Sequence, residues 1–255
     1  MTEQSIAMRL IAALCRGDAP GARALFGDTV ILDGAFCGRV TSEAGLIWAS
    51  RCWPSLFGHE GPFTPKFRST TVAGDHIVSE VWLPAYSPDG KAFDLPFALM
   101  VDLTEDGLIG EARYYFCERP LTGLLRHRMT SYPTTEPVAS TPADYPDVNA
   151  RYIGAQLEAD YPQIVAQFGA EFYVERGLDV IRDKGKLLEY YQSIILPGVT
   201  LRVVKNSGTY DGRTFILEWS SARIPTPSGL AAYERDADGN ICALRQYDNS
   251  PWPTD

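Results

Sequence analysis

The chain is short of basic residues and histidines, has no paired cysteine motif and no long apolar run, and each scarcity closes off a class of function. Lys and Arg number 23 against 32 Asp and Glu, for a net charge of −9. Nucleic acids and anionic membrane surfaces are bound by clustered cations, so neither is an expected partner. No apolar stretch reaches the roughly 20 residues that span a bilayer. The start, Met-Thr-Glu-Gln-Ser-Ile-Ala-Met-Arg-Leu, lacks the basic segment and apolar run of a secretion signal, so a cytoplasmic location is expected. Cys15, Cys37, Cys52, Cys117 and Cys242 are odd in number, scattered and never spaced Cys-x-x-Cys, which indicates neither a disulfide framework nor a zinc site. With only His59, His76 and His127 present, no histidine-built metal site is expected. No cofactor is expected either.

What the chain does have is a repeat. Asp18-Ala-Pro-Gly-Ala-Arg-Ala-Leu-Phe26-Gly27 is echoed by Asp160-Tyr-Pro-Gln-Ile-Val-Ala-Gln-Phe168-Gly169, and the same register carries Ile11 onto Ile153. Asp106-Gly107-Leu-Ile-Gly-Glu-Ala-Arg113-Tyr-Tyr115 is matched by Asp238-Gly239-Asn-Ile-Cys-Ala-Leu-Arg245-Gln-Tyr247. Both matches are separated by roughly 130 to 140 residues, which reads as two copies of one domain. The 255 residues and 45% hydrophobic content suffice for two packed cores. A Pro-rich stretch that resists helix and ladder pairing separates the copies. The expected layout is a first domain over 1–129, a linker over 130–146 and a second domain over 147–255.

Each copy has the same order of elements. Apolar spacing predicts helices over 4–16 and 148–158. Asp18 and Asp160 stand as N-caps of second helices, with Pro20 and Pro162 in their first turns. A short β-rich run follows (29–32; 171–174), then a third helix (about 42–53; 184–195) ended by Pro54 or Pro197. Four period-2 strands complete each copy: 66–72, 76–85, 93–103 and 108–116, then 200–206, 214–224, 229–235 and 241–248. The Asp-Gly pairs at 89–90, 106–107, 211–212 and 238–239 mark their hairpins. Helices first and a meander afterwards predict an α+β fold: two tandem cone-shaped domains, each with three helices packed on a curved antiparallel sheet.

With the short strand after helix two and the Asp-Gly…Arg-x-Tyr endings, this order resembles the nuclear transport factor 2-like superfamily. That group includes ketosteroid isomerase, SnoaL-type polyketide cyclases, limonene epoxide hydrolase and the epoxide-opening cyclases of polyether biosynthesis. The resemblance covers nearly the whole chain, twice, and implies a cone enclosing an apolar pocket. A carboxylate buried there has its pKa raised toward neutrality and serves as a proton shuttle without a cofactor.

The resemblance points to particular residues. Asp33 and Glu175, on the short strands, match the isomerase's general-base position; the alternative is a solvated carboxylate at a strand end. Tyr152, eight residues before the capping Asp160, resembles the isomerase tyrosine that donates to the oxyanion; its counterpart Leu10 has no polar atom. The isomerase's further Asp falls near Leu99 and Ala231, both apolar, so Δ5-steroid isomerisation is not implied. Asp33 with Glu60, in Phe57-Gly-His59-Glu60-Gly61, resembles the Asp and Glu pair of the epoxide-opening cyclases, unless that loop is only a solvent-facing turn. Trp82 and Trp219, alongside Glu80 and Glu218, and Tyr115 with Tyr247, are candidate substrate-binding aromatics or, at period-2 placement, packing residues. Asp248 is a further acid near the cavity mouth.

The reading is a cofactor-independent acid/base cyclase or isomerase acting on an apolar small molecule such as a polyketide or polyether intermediate. The rival is a non-catalytic small-ligand-binding or assembly protein on the same fold. A monomer is expected, with the two copies forming an internal pseudo-dimer.

Overall fold

In a computed structural model of the chain, residues 5–123, 140–195, 203–221 and 228–248 are described. The chain divides into two compact units, residues 1–132 and 133–255, each α+β with its own sheet. The linker expected over 130–146 lies largely outside the described residues.

Unit one runs α1 (Ile6–Arg16), α2 (Ala19–Arg23), β1 (Leu32–Gly34), α3 (Glu43–Leu56), β2 (Lys66–Ala73), β3 (His76–Tyr86), β4 (Ala92–Leu103), β5 (Ile109–Phe116) and α4 (Arg119–Thr122). The local signals act as the residue types dictate. Asp18 Oδ1 accepts from Gly21 N–H at 2.9 Å and caps α2, and Gly17 ends α1 with φ +68°. α3 runs through Pro54 to Leu56 instead of ending before it. Pro54 has no N–H to give the Ser50 carbonyl, but it sits in the last turn, so the helix loses one bond and closes at once.

Unit two repeats the plan with α5 (Asp147–Leu157), α6 (Tyr161–Ala166), β6 (Phe168–Arg176), β7 (Asp179–Ile181), α7 (Lys184–Ile194), β8 (Val203–Tyr210), β9 (Thr214–Ser221), β10 (Ser228–Arg235) and β11 (Ile241–Tyr247). Asp160 caps α6 as Asp18 caps α2. The strand β7, closing a hairpin with β6, is an addition that the sequence reading lacks.

The sheets are ordered β1-β5-β4-β3-β2 and β7-β6-β11-β10-β9-β8. They are mixed, not purely antiparallel: β1 runs parallel to β5, and β6 to β11. In unit one the chain leaving α2 lies beside the start of β5, where Phe26 bridges Ile109, so both strands run the same way. One face of each sheet packs on the helices. In unit one Val81, Leu83, Phe97, Leu99, Tyr114 and Phe116 meet Leu10, Leu14, Trp53 and Phe57; in unit two Val174, Leu217, Ala231, Tyr233 and Leu244 meet Val148, Tyr152, Leu187 and Tyr191. Each fully buried aliphatic or aromatic side chain stabilises by about 1.5–3 kcal/mol. Among the described residues no helix is long and apolar enough to cross a membrane.

Candidate active site

Strand alternation decides which face each candidate takes. In β1, Leu32 packs in the core, and a Cβ on Gly34 would come within 2.1 Å of the Tyr114 ring. Leu32 and Gly34 therefore turn toward the helices, and Asp33 turns to the opposite face beside Arg113, its neighbour in register. Asp33 is 2% exposed, accepts from Arg39 Nη1 at 3.3 Å, and keeps Oδ1 without a partner among the described residues. Burial pushes its carboxyl above the ordinary range, with Arg39 pulling the other way. The charges continue along this face: Arg39 reaches Glu111 at 3.1 Å, and Arg113 and His76 both hold Asp102 at 2.6 Å. Burial acts to raise the Asp102 carboxyl, but Arg113 and then His76 outweigh it and hold the group below the usual value.

Glu60 is exposed in the turn after α3. Its neighbour His59 stacks on Phe63 at 4.2 Å and meets the Pro84 carbonyl at 2.8 Å. The structure does not bring Asp33 and Glu60 together. One is buried on the sheet face away from the helices, and the other is exposed beyond α3.

Glu175 stands in unit two as Asp33 does in unit one: Arg245 is its register neighbour, on the face opposite Phe172 and Val174. Tyr152 lies under α5 on the helix side of the sheet, 1% exposed, with its hydroxyl 2.6 Å from that of Tyr191. Tyr152 and Glu175 are thus on opposite sides of the sheet.

The two tryptophans do not occupy matching places. Ser69 donates to Glu80 and Ser207 to Glu218, in the same cross-strand register, which makes Glu80 and Glu218 the equivalent pair. Trp82 is two residues past its Glu, sharing its face, where Arg68 lies 4.6 Å over the indole. Trp219 is one residue past its Glu and packs against the unit-two core. Tyr115 and Tyr247 do match; both are buried, and both alternate to the face away from the helices.

The groups gathered on the helix side of unit two are mostly ones the sequence reading passed over. Arg176, at the end of β6, follows Phe172 and Val174 in alternation and so points inward. Its Nε and Nη2 donate to Asp248 Oδ1 at 3.1 and 2.7 Å, and its Nη1 to the Tyr190 hydroxyl at 3.1 Å. Tyr190 packs on Tyr191 at 5.2 Å, Tyr191 meets Tyr152, and Tyr152 packs on Tyr233 at 5.5 Å. All six side chains are at least nine-tenths buried. Burial pushes the Tyr152, Tyr191 and Tyr233 phenols well above their ordinary pKa, and Tyr190 upward against the opposing Arg176 charge. These phenols are neutral hydrogen-bond donors at physiological pH. Gly229 completes the wall: a Cβ there would come within 2.7 Å of Asp248 and 2.9 Å of the Trp219 ring, so only glycine lets the two side chains meet across β10. Alternation along β6 is the sequence signal for Arg176.

Unit one has aromatic or small residues at the same positions. By register, Gly34, Tyr114 and Phe116 stand where unit two has Arg176, Gln246 and Asp248, and counting from the helix caps, Ser50 stands where unit two has Tyr191. Its interior is an aromatic cluster of Phe36, Trp53, Phe57, Phe97, Tyr114 and Phe116. Among the described residues no group of three or more His, Cys, Asp or Glu is placed to hold a metal ion.

No protein-family model and no curated protein matches the chain. Similar solved structures include the epoxide hydrolase/cyclase-like enzyme SalBIII of pyran ring formation in the polyether salinomycin: 18% identity, 40% of this chain and 87% of that one, TM-score 0.34. A protein with a ketosteroid isomerase-like fold from Catenulispora acidiphila, in complex with trimethylamine, is 17% identical over 48% of this chain and 92% of its own, with TM-score 0.40. A nuclear transport factor 2-like protein of unknown function from Burkholderia pseudomallei is 18% identical over 47% of this chain and 99% of its own, with TM-score 0.38.

Proposed function

We propose that the chain is a cofactor-independent acid/base cyclase or isomerase for an apolar small molecule, of the polyketide or polyether intermediate kind, and that unit two carries the chemistry. One observation supports this above the rest: a carboxylate, Asp248, fixed by Arg176 in the same buried interior as the Tyr152–Tyr191 phenol pair. In this reading Tyr152 keeps the donor role its position implies, and Asp248 takes the carboxylate role in place of Glu175. Asp248 removes a proton from the carbon next to a substrate carbonyl, and the electron pair moves onto the carbonyl oxygen. A neutral phenol donates to that oxygen as its charge develops. Return of the proton at another carbon is isomerisation; attack by the enolate carbon on a second carbonyl, whose π electrons move onto its oxygen and take back the proton from Asp248, is ring closure. Trp219 offers the substrate a flat apolar wall. Unit one, with aromatics where unit two has polar groups, is a structural partner, and the chain works as a cytoplasmic monomer, which light scattering checks.

The test is solvent deuterium incorporation into a panel of apolar ketones such as 2-decalone, followed by NMR. The full chain should speed exchange, Asp248→Asn should remove the acceleration, and Tyr152→Phe should lower it roughly ten- to a thousand-fold. Exchange no faster than buffer across the panel, or unchanged in Asp248→Asn, would leave the non-catalytic ligand-binding reading.

A further inference from the structure

The interior of unit two has a second polar end, and it is built of donors. Asn149, in the first turn of α5, is 0% exposed, and Arg235, the last residue of β10, is 6% exposed. Arg235 alternates onto the helix side with Ala231 and Tyr233. Its Nη2 donates to Asn149 Oδ1, its Nη1 to the carbonyls of Arg213 and Tyr233 at 3.2 and 3.3 Å, and its guanidinium lies 4.5 Å over the Tyr210 ring. Two donors remain. Arg235 Nε and Asn149 Nδ2 are buried without a hydrogen-bond partner among the described residues.

The surroundings supply negative charge only from exposed carboxylates. α5 has Pro146 at its N-cap and no side-chain cap, so its positive end faces this cluster uncompensated by a capping oxygen. The near carboxylate, Asp147, keeps Oδ2 3.8 Å from Arg235 Nε, beyond hydrogen-bond distance. That side chain is 60% exposed and already accepts from the Tyr210 hydroxyl at 2.7 Å. A buried guanidinium, a buried amide donor and a helix N-terminus thus face two exposed carboxylates, Asp147 and Asp211, neither of them hydrogen-bonded to the unpartnered donors. Burying donors without hydrogen-bond partners is costly, and an acceptor bearing negative charge offsets that cost.

We infer that this end of unit two seats an oxyanion of the ligand, so that the ligand is an apolar carboxylate with its acid group at Asn149 and Arg235. The inference rests on reading the unit-two interior as the ligand site and adds a substrate class to it. The seat adjoins the phenols: Tyr152 is one helical turn from Asn149, and Tyr233, on which it packs, is two residues from Arg235. A carboxylate held there lays the apolar body of the molecule along Tyr152 and Tyr233, toward Asp248.

The experiment titrates decanoate, decanol and acetate into the ¹⁵N-labelled full chain and follows the Asn149 side-chain amide. Decanoate should shift that amide and bind about ten-fold or more tighter than decanol, which lacks the charge, and than acetate, which lacks the apolar body. Asn149→Leu and Arg235→Met should each erase the preference for decanoate over decanol. If Arg235→Met does not fold, Asn149→Leu and the wild-type preference decide. Decanol binding as tightly as decanoate, acetate binding as tightly as decanoate, or an unmoved Asn149 amide would each overturn the seat. Decanoate bound with its preference intact, in a chain that does not speed ketone exchange, would overturn the acid/base reading and leave the seat standing.

Discussion

Placing one methyl group at Gly34 tests whether the interior of unit one is as full as its aromatic cluster implies. An alanine Cβ there would lie 2.1, 2.3 and 2.3 Å from three carbons of the Tyr114 ring. Carbon atoms in good contact sit about 3.5–4 Å apart, so the ring must retreat by about 1 Å or more. It has little room to do so. Tyr114 is 1% exposed, stacked against Phe97 at 6.0 Å and Phe116 at 6.1 Å, with Trp53 edge-on at 5.0 Å. Retreat also strains the bond in which the Cys37 N–H donates to the Tyr114 hydroxyl at 3.0 Å. Overpacking costs about 1–3 kcal/mol and a lost hydrogen bond about 1, so Gly34→Ala should cost unit one about 2–4 kcal/mol. Hydrogen exchange of the full chain, read peptide by peptide, should show that loss across β4 and β5 and leave β9 to β11 unchanged. Tyr114→Leu removes the ring, so the double variant should cost at least about 1 kcal/mol less than the two singles added. Additive costs, or a Gly34→Ala cost below about 0.5 kcal/mol, would refute the steric argument.

Asp33→Asn should raise the melting temperature at pH 7, because burial disfavours the carboxylate it removes. Since burial raises the folded-state pKa above the unfolded one, that penalty is present above the folded value and fades as the pH falls, so the gain should vanish below about pH 4; a lower melting temperature at pH 7 would mean that the Arg39 pairing outweighs burial. Cys15 is buried and its thiol is pushed up to about 12 by desolvation, so iodoacetamide at pH 8 should leave it unmodified in the folded chain and label it in urea; labelling of the folded chain would mean that α1 opens.

How much of this was legible in the sequence depends on how local each signal is. Asp18 and Asp160 cap helices because a short acid next to a first-turn proline has a nearby N–H to accept, and the Asp-Gly pairs turn because Gly90, Gly107, Gly212 and Gly239 all adopt positive φ, from 75° to 92°. Facing was harder, because it hangs on register. β1 is three residues long, too short for alternation to show which face Asp33 takes, and strand length in sequence does not reveal the bulges at Phe67/Ser69 and Lys205/Ser207. Trp82 and Trp219 look equivalent when only their place along the second long strand is read, and point to opposite faces when counted from the paired Ser and Glu. The repeat itself points to the residues that the two copies share. Positions where both copies agree, such as Arg113 with Arg245 and Tyr115 with Tyr247, are those that two sheets of one design need in common. The polar groups inside unit two sit where the copies disagree: Gly34 against Arg176, Phe116 against Asp248, Ser50 against Tyr191 and Leu10 against Tyr152. A duplicated domain needs its chemistry only once, so a second copy is free to lose polar groups that cost stability to bury. In a tandem chain, shared residues therefore report the fold, and the unmatched buried polar residues are where the function should be sought.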